Sequence, residues 1–422
     1  MAIGSSNFTS ISYVEETSYG ECPTAQFQEI PMTGESIQYS KSSITSNNIS
    51  SSRQVSDNVQ TSFEVSGGLN IEMAPKVYDD FIEGVMWNDW GTTTSESSLT
   101  ITADQAGGTF TTSSGTPFAD LAVGQFFRIN GTDSNDGIYQ IKTVTDTVIT
   151  VTDGFTLTDE TDTSGVTVTG SMIRNPADGA ETVTHSYFIE KCHNDLDPRQ
   201  YFSFDGMMVD SFSVNAQSAQ ILTGSFNFMG QDAAIYNDNA YDETDNPNGN
   251  GDGDAASGSK SDSAVANPIT FNGLNAVSHV GDIRINDTNV NATGDTSGNI
   301  YFQGLDFTVS NNLRGVQAIG KMGNVDVSPG QLSVTGSLNA LFADDTMYRR
   351  FLSGEEFSLS YAVLDENNEG YVFYFPRVTI TQSDMSAGGN DQDLVENMQW
   401  SALMDSDTST SIQIDRLYNS YS

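Results

Sequence analysis

Two stretches far apart in the chain carry the same ordered set of residues, and this weak duplication constrains the fold more than any other feature. The first reads Gly67-Gly68-Leu69-Asn70, then Tyr78, Phe81-Ile82 and Gly84; the second reads Gly336-Ser337-Leu338-Asn339, then Tyr348, Phe351-Leu352 and Gly354. Each copy passes from alternating strand pattern into a short helical stripe. Upstream, Ile30–Ile37 is matched with Leu305–Leu313; downstream, Ser225–Met229 is matched with Gln399–Met404. The repeat predicts a mainly β chain of two β-sandwich or barrel units, each flanked by one short helix. Two similar but inequivalent faces in one chain suit head-to-tail closure into rings.

The remaining pattern places these units along the chain. In Val59–Met73, Phe63, Val65, Leu69, Ile71 and Met73 fall on one face, with Glu64, Asn70 and Glu72 opposite. After Pro75, the residues Val77, Tyr78, Phe81, Ile82 and Val85 follow helical spacing with acidic residues in the first turns, which predicts a helix near 76–88. Residues 1–28 read as an extended arm with Tyr13, Tyr19 and Phe27 in need of a docking surface, and 40–58 read as a long polar loop. The first unit spans 29–90 and 176–236. It is interrupted at 91–175 by a Thr/Ser/Gly/Asp-rich insertion with strands expected at 126–131, 137–141 and 148–151. A linker at 237–266, a second unit at 267–410 and a polar tail at 411–422 complete the chain.

Sixteen Lys and Arg stand against 56 Asp and Glu, a net charge of −40, so the chain repels nucleic acid and anionic membrane alike. Two cysteines, Cys22 and Cys192, exclude a disulfide scaffold and leave a single bridge open. The opening residues have no basic stretch followed by an apolar one, so no secretion signal is expected, and no run of apolar residues is long enough to span a bilayer.

The order of these features resembles the major tail tube proteins of long-tailed phages. The resemblance rests on Glu15-Glu16-Thr17-Ser18-Tyr19-Gly20 leading to Phe27-Gln28-Glu29-Ile30, on Thr33–Ile37, on Ser52–Asp57, on Tyr78–Gly84, and on Phe204–Val209 with Thr223–Gly230. It implies a structural, non-enzymatic virion component that needs no cofactor. Rings of six tube folds, here a trimer imitating a hexamer, stack into a hollow cylinder with an acidic lumen that lets the viral DNA pass. The implied partners are further copies of the chain and the tail terminator, tape measure and distal tail proteins. Expected contact residues between copies are Tyr13, Tyr19, Phe27, Ile44, Ile49, Arg53, Val55, Tyr78, Phe81, Tyr348 and Phe351. A virion adhesin or decoration protein with Ig-like modules is the alternative, with the insertion as its working surface.

Residues with chemical potential are few. His185 and Cys192 fall on opposite faces of one alternating segment, and with His193 and Asp195 they complete no four-ligand set. Asp252-Gly253-Asp254, following Asp242, Glu243 and Asp245, lacks the ligand spacing of a dedicated calcium loop. No Lys-Ser/Thr follows Gly67-Gly68, so no phosphate loop is present there. No catalytic, cofactor or metal residue is expected.

Overall fold

A computed structural model describes residues 3–49, 54–237, 259–261, 263–291, 300–385, 389–390 and 393–418. The Asp-rich run around 242–254 and Arg53 lie outside the described residues.

The first unit contains β1 (Thr9–Glu15), β2 (Gln38–Thr45), β3 (Asn58–Glu72) and α1 (Asp79–Met86). The insertion follows as β4 (Thr94–Asp104), β5 (Thr109–Thr112), β6 (Phe126–Asn130), β7 (Gly137–Val144), β8 (Val148–Val151) and β9 (Glu160–Arg174). The unit resumes with β10 (Tyr187–His193), β11 (Gln200–Gln217), β12 (Thr223–Gly230) and β13 (Asp232–Asn237). The second unit begins with β14 (Val280–Ile285), β15 (Phe302–Ser310), β16 (Arg314–Gln317), β17 (Asn324–Ser328) and β18 (Ser333–Leu341). It continues through α2 (Thr346–Ser353), β19 (Phe357–Leu364), β20 (Gly370–Met385), β21 (Val395–Ala402) and β22 (Gln413–Leu417). Short strands at Gln28–Ile30, Gly34–Glu35 and Thr288–Asn289 complete the set.

The duplication is written in the hydrogen-bond ladders. The first unit pairs in the antiparallel order β1, β10, β11, β12, β3, β2. The second pairs in the order β14, β19, β20, β21, β18, β15. Irregularities coincide as well. Register shifts between Val209 and Ser211 on β11 and between Tyr187 and Ile189 on β10 recur between Ile380 and Gln382 on β20 and between Phe357 and Leu359 on β19. A bulge alters local twist and re-aims side chains, so its repetition marks a shared architecture.

These ladders also explain the repeated residues. A Cβ added at Gly67 would meet the Ser36 carbonyl oxygen at 2.3 Å, and one at Gly336 would meet the Asp306 carbonyl oxygen at 2.2 Å. Only glycine allows the neighbouring strand so close. Leu69 and Leu338 point into the core and are fully buried. Asn70 pairs with Gly34 and Asn339 with Gly304 across the ladder. The ladder therefore corrects the upstream match. Gly34-Glu35 corresponds to Gly304-Leu305, a different register from Ile30–Ile37 against Leu305–Leu313. Likewise Phe226 opposite Leu69 corresponds to Met398 opposite Leu338, which places Asn397–Ser401 against Ser225–Met229.

Further differences from the sequence reading have simple causes. The arm is strand β1, fastened by buried Glu16, which accepts from the Gly20 and Gly206 N–H groups at 2.8 Å each and from the Ser186 hydroxyl at 2.6 Å. Residues 40–45 of the expected loop are instead the outer part of strand β2, which runs out on β3 as a projecting ribbon. Both of its faces meet solvent at the tip, so no hydrophobic alternation marks it. The polar tail is strand β22, clamped between β20 and β9, with Ile412, Ile414, Leu417 and Tyr418 buried. It is the counterpart of β13, which pairs with β11 as β22 pairs with β20.

The core is aromatic. Phe81 on α1 packs against Tyr13, Tyr187, Phe226 and Phe228, with ring centroids 4.6–5.5 Å apart. Phe307 bridges the units, 5.8 Å from Phe212 and 5.0 Å from Phe373. Each such buried ring contributes about 1.5–3 kcal/mol by area. The insertion has its own cluster around Phe110, Phe127, Tyr139 and Val168. Asp79 ties α1 to the second unit, accepting from Tyr371 at 2.6 Å, Tyr418 at 3.1 Å and Arg416 at 2.9 Å. Cys22 and Cys192 are both thiols. Among the described residues, no helix is long and apolar enough to cross a membrane.

Candidate functional site

The units meet along one ladder. On β11, Ser211 faces Ser310 of β15, and the pairing continues through Phe212–Val309, Ser213–Thr308 and Val214–Phe307 to Gln217–Gly304. The counterpart of the β11 edge is the distal half of β20, and the counterpart of the β15 edge is the edge of β2. Neither has a second ladder among the described residues. Gln382–Met385 of β20 pairs only with β21, and β2 pairs only with β3. The junction sealed inside the chain thus reappears as two open halves at opposite ends of the repeat. Unpaired strand edges template further pairing unless they are covered.

The sheet that carries this junction has one apolar and one polar face. Phe212, Val214, Phe226, Phe307, Val309 and Leu338 point into the core. Ser211, Ser213, Asn215 and Gln217 of β11 point the other way, as do Thr223, Ser225 and Asn227 of β12, Thr308 and Ser310 of β15, and Ser333, Thr335, Ser337 and Asn339 of β18. A carboxylate among them, Asp306, accepts from the Ser337 N–H at 3.1 Å and from its hydroxyl. Glu72 beside Thr223, Glu64 beside Ser40 and Asp384 beside Asn397 lie on the same face, so this otherwise hydroxyl- and amide-rich surface also carries negative charge.

The expected contact residues separate by burial. Tyr13, Phe27, Tyr78 and Phe81 are enclosed within one chain. The Tyr13 hydroxyl donates to Asp80 at 2.9 Å, and Tyr78 donates to the carbonyls of Pro31 and Glu72. Burial pushes both phenols above their ordinary pKa, so both stay protonated donors. Tyr19 is half-buried over Gly206. Ile44, Ile49 and Val55 are exposed at 62, 97 and 70% on or beyond the ribbon, uncovered by any of the described residues. Tyr348 and Phe351 are half-buried on α2 beside exposed Leu352.

Sequence reasoning missed the open edges, since only pairing in space identifies which strand lacks a neighbour. It also missed a groove beside the β2 edge, lined by Tyr39, Lys191, Phe202, Ala233 and Ile235. His193, Cys192 and Asp195 engage Thr9, Asn194 and Ser5 respectively and do not gather with His185. His185 instead approaches Glu15 and Asp89.

No curated protein matches the chain. A family model described as phage tail tube protein matches residues 6–402, almost the whole length. With that match and a mainly antiparallel β fold, the chain belongs to the phage tail tube protein family and is a structural component of the virion tail.

Proposed function

We propose that copies of this chain join edge to edge, the distal half of β20 from one copy adding to β2 of the next, to build the rings of a tail tube. One observation carries this reading. The two edges left open are the counterparts of the two edges already joined as β11 on β15. Transferring that internal register outward pairs Gln382 with Ser40, Ser383 with Tyr39, Asp384 with Gln38 and Met385 with Ile37 in the neighbour. Three chains then supply six units, and the last β20 edge meets the first β2 edge. The exposed ribbon tip, with Ile44, Ile49 and Val55, finds its cover on an adjacent ring. A two-stranded ribbon alone in water is marginal, which favours a docked state.

In such a ring the polar face of the joined sheet lines the channel, opposite the face covered by the helices. Its hydroxyl and amide groups, interspersed with the carboxylates of Asp306, Glu64, Glu72 and Asp384, offer DNA a polar and acidic wall. This agrees with the acidic lining expected from the net charge. Tail terminator, tape measure and distal tail proteins remain the partners expected at the tube ends.

Cross-linking tests the register. Facing residues in an antiparallel ladder have Cα atoms roughly 4.5–5.5 Å apart, within the range a disulfide spans. In a background with Cys22 and Cys192 replaced by Ser, assembled Ser40→Cys/Gln382→Cys protein should give a covalent ladder under mild oxidation. The shifted pair Ser40→Cys/Asp384→Cys should not. Equal cross-linking in both, or none in well-formed tubes, would refute the pairing.

A further inference from the structure

We propose that Glu83, Asp89 and His185 form a binding site for a divalent transition-metal ion of the zinc class. It lies where both ends of the insertion meet the first unit, and the proposal is independent of how copies assemble. Glu83 projects from α1, Asp89 lies on the connector leading into the insertion, and His185 lies on the connector returning from it. One donor atom from each falls within 4.8 Å of the others.

The histidine points to a ligand rather than to a plain ion pair. Its side chain is 5% exposed, and its Nδ1 is 2.6 Å from Glu15 Oε1 at the end of β1. That contact holds the proton on Nδ1 and turns the Nε2 lone pair toward the other two carboxylates. Nε2 is buried without a hydrogen-bond partner, 3.4 Å from Asp89 Oδ1. With the proton on Nδ1, the buried Nε2 lone pair facing the Asp89 carboxylate is repulsive, and a cation between them removes that repulsion. Glu83 Oε1 accepts from the Trp90 N–H at 2.9 Å, which orients that carboxylate and leaves its second oxygen for the ion.

The donor set selects the metal class. Calcium and magnesium prefer all-oxygen shells, whereas an imidazole nitrogen with carboxylates suits zinc, cobalt or nickel. Three protein donors leave a further position to water. The backbone is arranged to bring them together. Trp87 turns the chain through a left-handed conformation, φ 53°, and its carbonyl accepts from the Val183 N–H at 3.0 Å, so the outgoing and returning connectors run side by side. A bound ion would link β1, α1 and both connectors, fixing the root of the insertion.

The test uses the full chain, stripped with EDTA and titrated with ZnCl2 by calorimetry, and with CoCl2 by visible absorption, in about 0.15 M salt to screen diffuse binding to the acidic surface. We expect one saturable equivalent per chain, with cobalt ligand-field bands that zinc displaces. Asp89 is exposed, so Asp89→Asn should fold normally by circular dichroism and lose the saturable equivalent. Glu15→Gln, acting through the imidazole, should bind about 10–100-fold more weakly. His193→Gln should bind as the parent does. Weak non-saturating binding, or a saturable site unchanged by Asp89→Asn, overturns the assignment and leaves a protonated His185 paired with Glu15 and Asp89.

Discussion

Each unit carries an excursion just before the strand that bears its Gly-x-Leu-Asn, between β2 and β3 in the first and between β15 and β18 in the second, and the two excursions meet opposite fates. In the second unit, residues 311–332 fold back on the first. Leu313 and Val327 are buried against Met208, Asn311 donates to the carbonyls of Val85 and Val209, and the Leu313 N–H donates to Asp210. In the first unit, the β2–β3 ribbon projects with its apolar tip in solvent. The same architecture is thus satisfied on one side and unsatisfied on the other. The difference is what the proposed edge-to-edge assembly requires: what the second unit does to the first, none of the described residues does to the second.

The largest test of this contrast strikes the sealed junction. Phe307→Ala empties a fully buried site between Phe212, Phe373 and Phe375, and should cost about 3–5 kcal/mol in urea denaturation of the unassembled chain. A loss below ~1 kcal/mol would mean the units do not depend on each other. The open counterpart should respond differently. Tyr39 stands on β2 where Val309 stands on β15, half-buried and stacked on Phe63 at 4.8 Å. Tyr39→Ser should cost the isolated chain ~1 kcal/mol or less. Sedimentation should nevertheless find the concentration needed for assembly raised about tenfold. An unchanged assembly threshold would separate β2 from the contact.

The smallest expected effect compares the two terminal strands. β22 is sealed by β9, while β13 has an open outer edge among the described residues. Sealing encloses Asp415, whose carboxyl burial pushes well above its ordinary range although Gln413 and the Phe126 N–H donate to it. A carboxyl with its folded pKa above its unfolded one holds its proton more readily in the fold. Its contribution is complete in acid below about pH 4 and is lost as pH rises toward the folded pKa. Burial raises Glu16, Asp80 and Glu83 in the same direction. The melting temperature should therefore rise between pH 7.5 and 5.5, and Asp415→Asn should flatten part of that rise. A steeper slope in the variant would contradict the sign.

How much was legible in the sequence follows from how each residue earns its place. Gly67 and Gly336 mark a close backbone approach that no other residue permits, so the duplication could be read directly. The helix was legible from Phe81, Ile82 and Val85, whose spacing matches one buried face. Strand β22 was not, because Gln413 and Asp415 are polar yet wholly buried, held by Arg174 and Phe126 of a segment more than two hundred residues away. The site at His185 was equally hidden: Glu15, Glu83 and Asp89 reach it from three separate segments, and no local spacing announces such convergence. Tyr13 and Phe81 looked like contacts for a partner because aromatic residues in a polar segment need cover, and the fold supplies that cover itself.

Covalent linkage of the two units has a kinetic consequence. The β11–β15 seam forms between segments tethered in one polypeptide, so its effective concentration is fixed by the connection and does not fall on dilution. In the ring proposed above, half of the seams are supplied within chains in this way, and only the other half need diffusional encounter between chains.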